Sequence, residues 1–253
     1  MKLSAIVYFC LGTALFGCSS LTQKLDANRA KSVRKLAIMA VDIHQQQPTD
    51  NLGLSAFKSL KEGKDSDSAE LQVMALKVTN NFATEIQKKT NWQIIPVKDV
   101  VANADYKAKF ASATSGMHMV SMTGDHMMVV NASGLLDVAQ FRKMTLPERA
   151  RLAKSLGADA IAEITIVNSI DQSMFSIGHL TGDGAFAMTS RANLQVYDLL
   201  SDDPLWMSQN VEGDVTTKSD ELPAALNKRE KMAKLAEQAA NSAVQKLVQT
   251  YNF

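Results

Sequence analysis

Six consecutive apolar residues, Leu36-Ala37-Ile38-Met39-Ala40-Val41, constrain the fold of this chain more than any other stretch. A strand with one wet face alternates apolar and polar residues, whereas an uninterrupted run of strand length belongs mid-sheet with both faces covered. Residues 35–43 are therefore expected as a central strand, and its covering layers require helices elsewhere in the chain.

The helices are legible from their periodicity. Asp67 followed by Glu70 reads as a capping box, and Leu71, Met74, Ala75, Val78, Phe82 and Ile86 recur at three- and four-residue spacing, giving one buried face over about five turns. Residues 99–110 form a weaker helical segment. Thr145-Leu146-Pro147-Glu148 is a second capping box with proline in the first turn, and Gly157 is placed as a left-handed C-cap. Asp220 and Pro223 are expected to open a C-terminal helix with the stripe Leu226, Met232, Leu235, Ala236, Ala239, Ala243 and Leu247.

Strands fill the gaps. Residues 92–97 read as a short strand whose Pro96 demands an edge or an end. Residues 158–167 follow Gly157 directly, with Ala160, Ala162, Ile164 and Ile166 on one face. Phe186, Met188, Ala192, Leu194 and Val196 share a face that Thr189, Arg191, Asn193 and Gln195 avoid, so this strand has one wet side. Ser201-Asp202-Asp203-Pro204 turns the chain, and residues 205–215 return as the hairpin partner. The order is βαβ-αββ-α, which a single mixed sheet with helices packed on it satisfies: an α/β fold bordering on α+β. His44 and His179 read as loop residues. Glu163 and Asp171 read as members of solvated faces, and Asp202 and Asp203 as turn residues.

The amino-terminal segment decides where such a domain would work. Lys2 and the apolar run 3–16 have the charged and hydrophobic regions of a secretory signal, too short to span a bilayer, which takes about 20 apolar residues. The run ends in Leu15-Phe16-Gly17-Cys18, which resembles the lipobox of bacterial lipoproteins, with a bulkier Phe16 than is usual there. The resemblance implies cleavage between Gly17 and Cys18 and acylation of Cys18; two or more acyl chains make an anchor stable. Ser19 in place of aspartate implies the periplasmic face of the outer membrane. Residues 1–17 are thus a signal, 18–34 a lipidated cysteine with a polar tether, and 35–253 the periplasmic domain. Fully extended, that tether would reach about 55 Å.

Processing changes how the composition reads. Cys10 leaves with the signal and Cys18 is consumed by lipid, so the mature core holds by packing alone. Without Lys2 the chain carries 26 basic and 26 acidic residues, which gives no footprint for nucleic acid.

Three stretches now carry a second resemblance: Leu36 to Val41, Gly157-Ala158-Asp159-Ala160-Ile161, and the hairpin from Val196-Tyr197-Asp198 through Leu205-Trp206 to Gly213. Together they resemble the envelope-domain group of the curli-secretion lipoprotein CsgG, the penicillin-binding-protein activator LpoB and the TolB N-terminal domain. The resemblance implies a binding or assembly module with no catalytic residues. The chain departs from that group in lacking a pair of membrane hairpins and in adding residues 111–133.

The added segment reads as a Met- and His-rich hairpin: Gly116-Met117-His118-Met119-Val120-Ser121-Met122, a Thr123-Gly124-Asp125 turn, then His126-Met127-Met128-Val129-Val130. Thioether and imidazole ligands select Cu(I), which makes His118, Met122, His126 and Met128 candidate copper ligands. Against that, the alternation of a strand divides Met117 and Met119 from His118 and Met122. Flexible methionines also suit an adaptable protein contact, which makes Met117, Met119, Met122, Met127 and Met128 the candidate partner-binding residues.

The chain contains no G-x-S-x-G, H-E-x-x-H, P-loop or dinucleotide motif. The glycine-rich residues 178–184 do not lead from strand to helix, so a loop between strands is expected there. The reading is a non-enzymatic, lipid-anchored accessory module that binds another envelope protein through residues 111–133 or 44–68, with no cofactor beyond the lipid. A copper-binding lipoprotein is the alternative and a hydrolase the third. Pairing with a second copy of the chain is left open.

Overall fold

The computed structural model describes residues 22–46, 66–114, 127–132, 134–171, 185–226 and 228–250. The signal, Gly17 and Cys18 lie outside them, as do Met117, His118, Met119, Met122, His126 and residues 178–184.

The expected α/β architecture is present as one mixed seven-stranded sheet with helices on both faces. Strand β1 (Thr22–Leu25) is followed by the single-turn helix α1 (Ala27–Ala30), then β2 (Lys35–Gln46), α2 (Ser66–Lys89) and β3 (Gln93–Ile95). Helices α3 (Val97–Ala102) and α4 (Ala104–Thr114) precede β4 (Met127–Asn131). Next come α5 (Val138–Arg142), α6 (Leu146–Leu156), β5 (Ala160–Ile170), β6 (Met188–Asp198), β7 (Trp206–Glu212) and α7 (Lys228–Gln249). The strands lie in the order β1-β7-β6-β5-β2-β3, with β4 also on β2.

The apolar run is central, as its composition requires. Strand β2 pairs in parallel with β5 along one side. Its other side is shared by β3, parallel to Lys35–Ala37, and β4, antiparallel to Asp42–Gln46. All six residues from Leu36 to Val41 are fully buried. A register shift between Ile38 and Ala40 marks a bulge, and Tyr106 Oη donates to the Met39 carbonyl there at 2.5 Å, satisfying the group the bulge frees.

Helices α2 and α7 lie side by side, joined by Asn81 Nδ2 donating to Asn241 Oδ1 at 2.9 Å. Their stripes, Met74, Val78, Phe82 and Ile86 against Leu235, Ala239, Ala243 and Leu247, are buried as the periodicity predicts. They cover the face carrying Ala162, Ile164, Leu194 and Val196. Helices α5 and α6 cover the opposite face only over β2 and the start of β5. Beyond them Thr189, Arg191, Asn193 and Gln195 of β6 are partly or fully exposed, which is the wet side expected of this strand.

Helix α6 ends at Gly157 with φ 68°, and Glu148 Oε2 accepts from the Thr145 backbone at 2.8 Å, so both expected caps are present. Lys109 also donates to Glu148, at 2.9 Å. The Thr145 backbone N–H first, and then Lys109, draw this carboxylate down to about 2.

Four expectations need correction. Residues 22–34 are not a free tether. Strand β1 pairs antiparallel with β7, Asp26 caps α1 by accepting from the Asn28 and Arg29 backbones, and Arg29 donates to both oxygens of Asp198 at 2.7 and 2.8 Å. An edge strand needs only backbone hydrogen bonds, and Lys24 and Arg29 add ion pairs with Asp203 of the β6–β7 turn and with Asp198 at the end of β6. Second, β2 continues through His44, Gln45 and Gln46, because Gln45 is fully buried and hydrogen-bonded across the sheet. Third, the segment read as one weak helix is two, divided at Asn103. That residue is extended, and its Oδ1 accepts from the Tyr106 backbone at the start of α4. Fourth, α7 begins at Lys228, later than Asp220 implied; residues 219–226 are a turn-rich loop anchored by the Ser219 backbone donating to the Phe186 carbonyl at 2.8 Å.

Candidate functional site: a buried charge cluster and one end of the sheet

Two charged residues sit inside otherwise apolar strands, and both are buried: Asp42 in Val41-Asp42-Ile43 and Glu163 in Ala162-Glu163-Ile164. Glu163 is paired in register with Ala40, so strand alternation puts Asp42 and Glu163 on the same face of the sheet, beneath α5 and α6. Only 1 % of Glu163 is exposed, which corrects the expectation of a solvated carboxylate. Arg142, at the end of α5, donates Nε and Nη2 to Glu163 Oε1 at 2.7 and 2.6 Å, while Glu163 Oε2 finds no partner among the described residues. Burial pushes the Glu163 carboxyl up, and Arg142 partly offsets this.

Beside this pair, the Arg149 guanidinium of α6 lies 4.5 Å from the Tyr197 ring centroid and 5.9 Å from that of Phe141, and it pairs with Asp202 on the β6–β7 turn. Burial, and then the negative charge of Glu163, push the Tyr197 phenol up to about 12, so it stays protonated. The cluster therefore ties α5, α6, β5, β6 and the hairpin turn together through charge. Among the described residues, no group of three or more His, Cys, Asp or Glu is placed to hold a metal.

Asp42 is a different case. Its Oδ1 accepts from Asn131 Nδ2 at 3.0 Å and its Oδ2 from the Val138 backbone at 3.1 Å, so one carboxyl joins β2, β4 and α5. Burial raises it to about 7, against the pull of the Val138 N–H. A carboxyl raised on folding takes up a proton that the unfolded chain releases. Stability is then full in acid and falls as pH climbs from the ordinary carboxylate range, about 4, through 7. Urea unfolding between those values should show a loss of up to about 1.4 kcal/mol per pH unit. Asp42→Asn should flatten that slope; an unchanged slope would move its origin elsewhere.

On the opposite face a polar ladder crosses three strands. Asn168 of β5 donates to Gln45 Oε1 at 3.0 Å, Ser190 of β6 donates to Asn168 Oδ1, and all three residues are buried. The adjoining Gln46 Oε1 accepts from the Ile170 backbone at 2.8 Å. Such a ladder fixes register, because a one-residue slip would strand three buried polar groups.

The ladder stands at the end of the sheet where the sequence-singled residues converge. Strand β2 ends at Gln46, opposite the Met127 at which β4 begins, and Met128 pairs in register with Gln45. Strand β5 leaves at Ile170, opposite the Met188 at which β6 begins. Residues 47–65, 115–126 and 172–184 are therefore all attached at this one end. His44, expected in a loop, is in β2 opposite Val129, half-buried, with burial holding its pKa below the usual histidine range. The other three histidines, His118, His126 and His179, belong to the attached segments. The expected hairpin 111–133 needs correction at its start, since residues 111–114 are the last turn of α4; residues 115–126 lie outside the described residues, and the second arm is β4, which pairs with β2 of the main sheet.

No known protein family, curated protein or solved structure matches this chain. Among the described residues no helix is long and apolar enough to cross a membrane.

Proposed function

We propose that this chain is a lipid-anchored protein of the bacterial envelope, held at Cys18 on the periplasmic face of the outer membrane, whose domain works by binding another envelope protein. One observation carries the contact site: the two segments singled out for contact, 44–68 and 111–133, meet in the sheet where Gln46 pairs with Met127. Loops on a fixed scaffold are where binding residues concentrate, and methionines give such a surface adaptable contacts.

Two measurements test this. Cys18→Ser should move the chain from the membrane fraction to the soluble fraction; a variant that stays membrane-bound removes the lipid anchor. A photo-crosslinker introduced in cells at Met117, Met119 or Met122 should give one discrete adduct, and the same residue at Lys98 should not. Adducts that are indistinguishable from the two regions would remove the contact surface.

The convergence also supports a second reading, Cu(I) binding, because the segments carrying His118, His126 and His179 attach beside His44 at one end. Competition against a Cu(I) chelator decides it. Binding no tighter than that of a variant lacking His118 and His126 excludes copper.

A further inference from the structure

The inference here rests on Cys18 being lipidated and concerns what the domain then touches. Strand β1 begins at Thr22, four residues after Cys18. Four residues span at most about 14 Å, roughly a quarter of the reach expected of a tether running to residue 34. A domain held that closely keeps the start of β1 within about 14 Å of the leaflet.

The strand directions select that surface. Thr22 pairs with Gln209 and Leu25 with Trp206, so the chain ahead of Thr22 approaches from the Glu212 side of β7. Glu212 pairs with Arg191, Arg191 with Val167, and Val167 with His44, which puts this approach at the end of the sheet where β2 and β5 end. Strand β1 closes the sheet order, and no described strand pairs with its outer edge. Beside it an open groove of about 530 Å³ is walled by Gln23, Asn210, Val211, Glu212, Lys246, Gln249 and Thr250. Its walls combine amides, a hydroxyl and charges of both signs with the apolar Val211, and Lys246 is ion-paired to Asp214 at 2.6 Å. Charges of both signs at this edge suit contact with the phospholipid headgroup layer.

We propose that the outer edge of β1, with the adjoining groove and the C-terminal turn of α7, is the membrane-apposed surface of the domain. The sheet end carrying residues 47–65, 115–126 and 172–184 is thereby held close to the leaflet. A partner bound there would be at the membrane surface and not deep in the periplasm.

The test uses the full chain, lipidated in a bacterial host and reconstituted into phosphatidylethanolamine and phosphatidylglycerol vesicles. After processing, the mature chain has no thiol other than Cys18. Single nitroxide labels can therefore be placed at Glu212→Cys and Gln249→Cys, and, away from the proposed surface, at Lys98→Cys and Lys154→Cys; all four positions are exposed. Collision with oxygen relative to a water-soluble nickel chelate should be severalfold higher at 212 and 249 than at 98 and 154. Inserting a Gly/Ser linker of about 16 residues before Thr22, with a root-mean-square span of about 20–24 Å, should abolish that difference while vesicle binding persists. Vesicle-bound protein with four equally water-exposed labels overturns the apposed surface and leaves the anchor standing. A chain with no acyl mass on Cys18 and no vesicle binding overturns both.

Discussion

Arg142→Ala is expected to destabilise the fold by about 2–4 kcal/mol near pH 8 and by much less near pH 5. Removing one partner of a buried ion pair costs about 3–5 kcal/mol, because the charge left behind is buried without compensation. The Arg142 side chain is about half exposed, which discounts that figure. Glu163 cannot reach water, so it responds by holding a proton. Its carboxyl is already raised by burial, and losing Arg142 raises it further. The sign follows: a carboxyl raised in the folded state contributes stability in acid and loses it as pH climbs through its folded pKa. The deficit should therefore grow between pH 5 and 8 in urea unfolding. Adding Glu163→Gln should recover most of the loss near pH 8, since an amide carries no charge to strand. An equal deficit at both pH values would attribute the loss to packing of the arginine stem.

What could be read from sequence divides along the range of the interactions involved. The Leu36-to-Val41 run, the Gly157 cap, the Thr145 capping box and the stripes of α2 and α7 are set by neighbours within a few residues, so each was legible. Strand β1 was not: Thr22-Gln23-Lys24-Leu25 has no apolar period, and its partners Gln209 to Trp206 lie far along the chain. Gln45 looked like a loop residue for the same reason. Its polar side chain is tolerated in the core only through Asn168, 123 residues away. If Cys18 is the anchor proposed above, this difference shortens the expected reach from about 55 Å to about 14 Å.

The candidate site was legible only in part. Methionine and histidine enrichment marked residues 111–133, but nothing local showed that β4 would pair with the end of β2 and bring that segment beside residues 47–65. The charge cluster did leave a signal. Asp42 and Glu163 each interrupt an apolar strand, and a carboxylate in such a position is either paired or neutral when buried. Its partners, Arg142, Arg149 and Tyr197, come from separate elements and show no spacing rule.

Gly213→Ala should destabilise the domain by about 2–3 kcal/mol, the range of overpacking where neighbours cannot yield. Gly213 lies just past β7 and is buried. A Cβ there would meet the Ala243 backbone nitrogen at 2.6 Å, the Ala239 carbonyl oxygen at 3.0 Å and the Ala243 Cα at 3.1 Å. Backbone conformation is not the reason for glycine, since among the described glycines φ is positive at Gly134 and Gly157 but not at Gly213. The reason is contact: α7 rests directly on the strand end. There Asp214 accepts from Ser242 Oγ at 3.0 Å and from Lys246, holding the helix in place. Alanine would also restrict the unfolded chain, an opposing gain of about 0.4–1 kcal/mol that the clash exceeds. Because the opposing atoms are backbone, Ala243→Gly should not rescue the variant, whereas it would rescue a clash with a side chain. A rescued variant, or a loss below about 0.5 kcal/mol, would mean that α7 stands farther from β7 than this geometry requires. A confirmed loss would show that α7 approaches the end of β7 as closely as this geometry requires, beside the groove wall built by Lys246, Gln249 and Thr250.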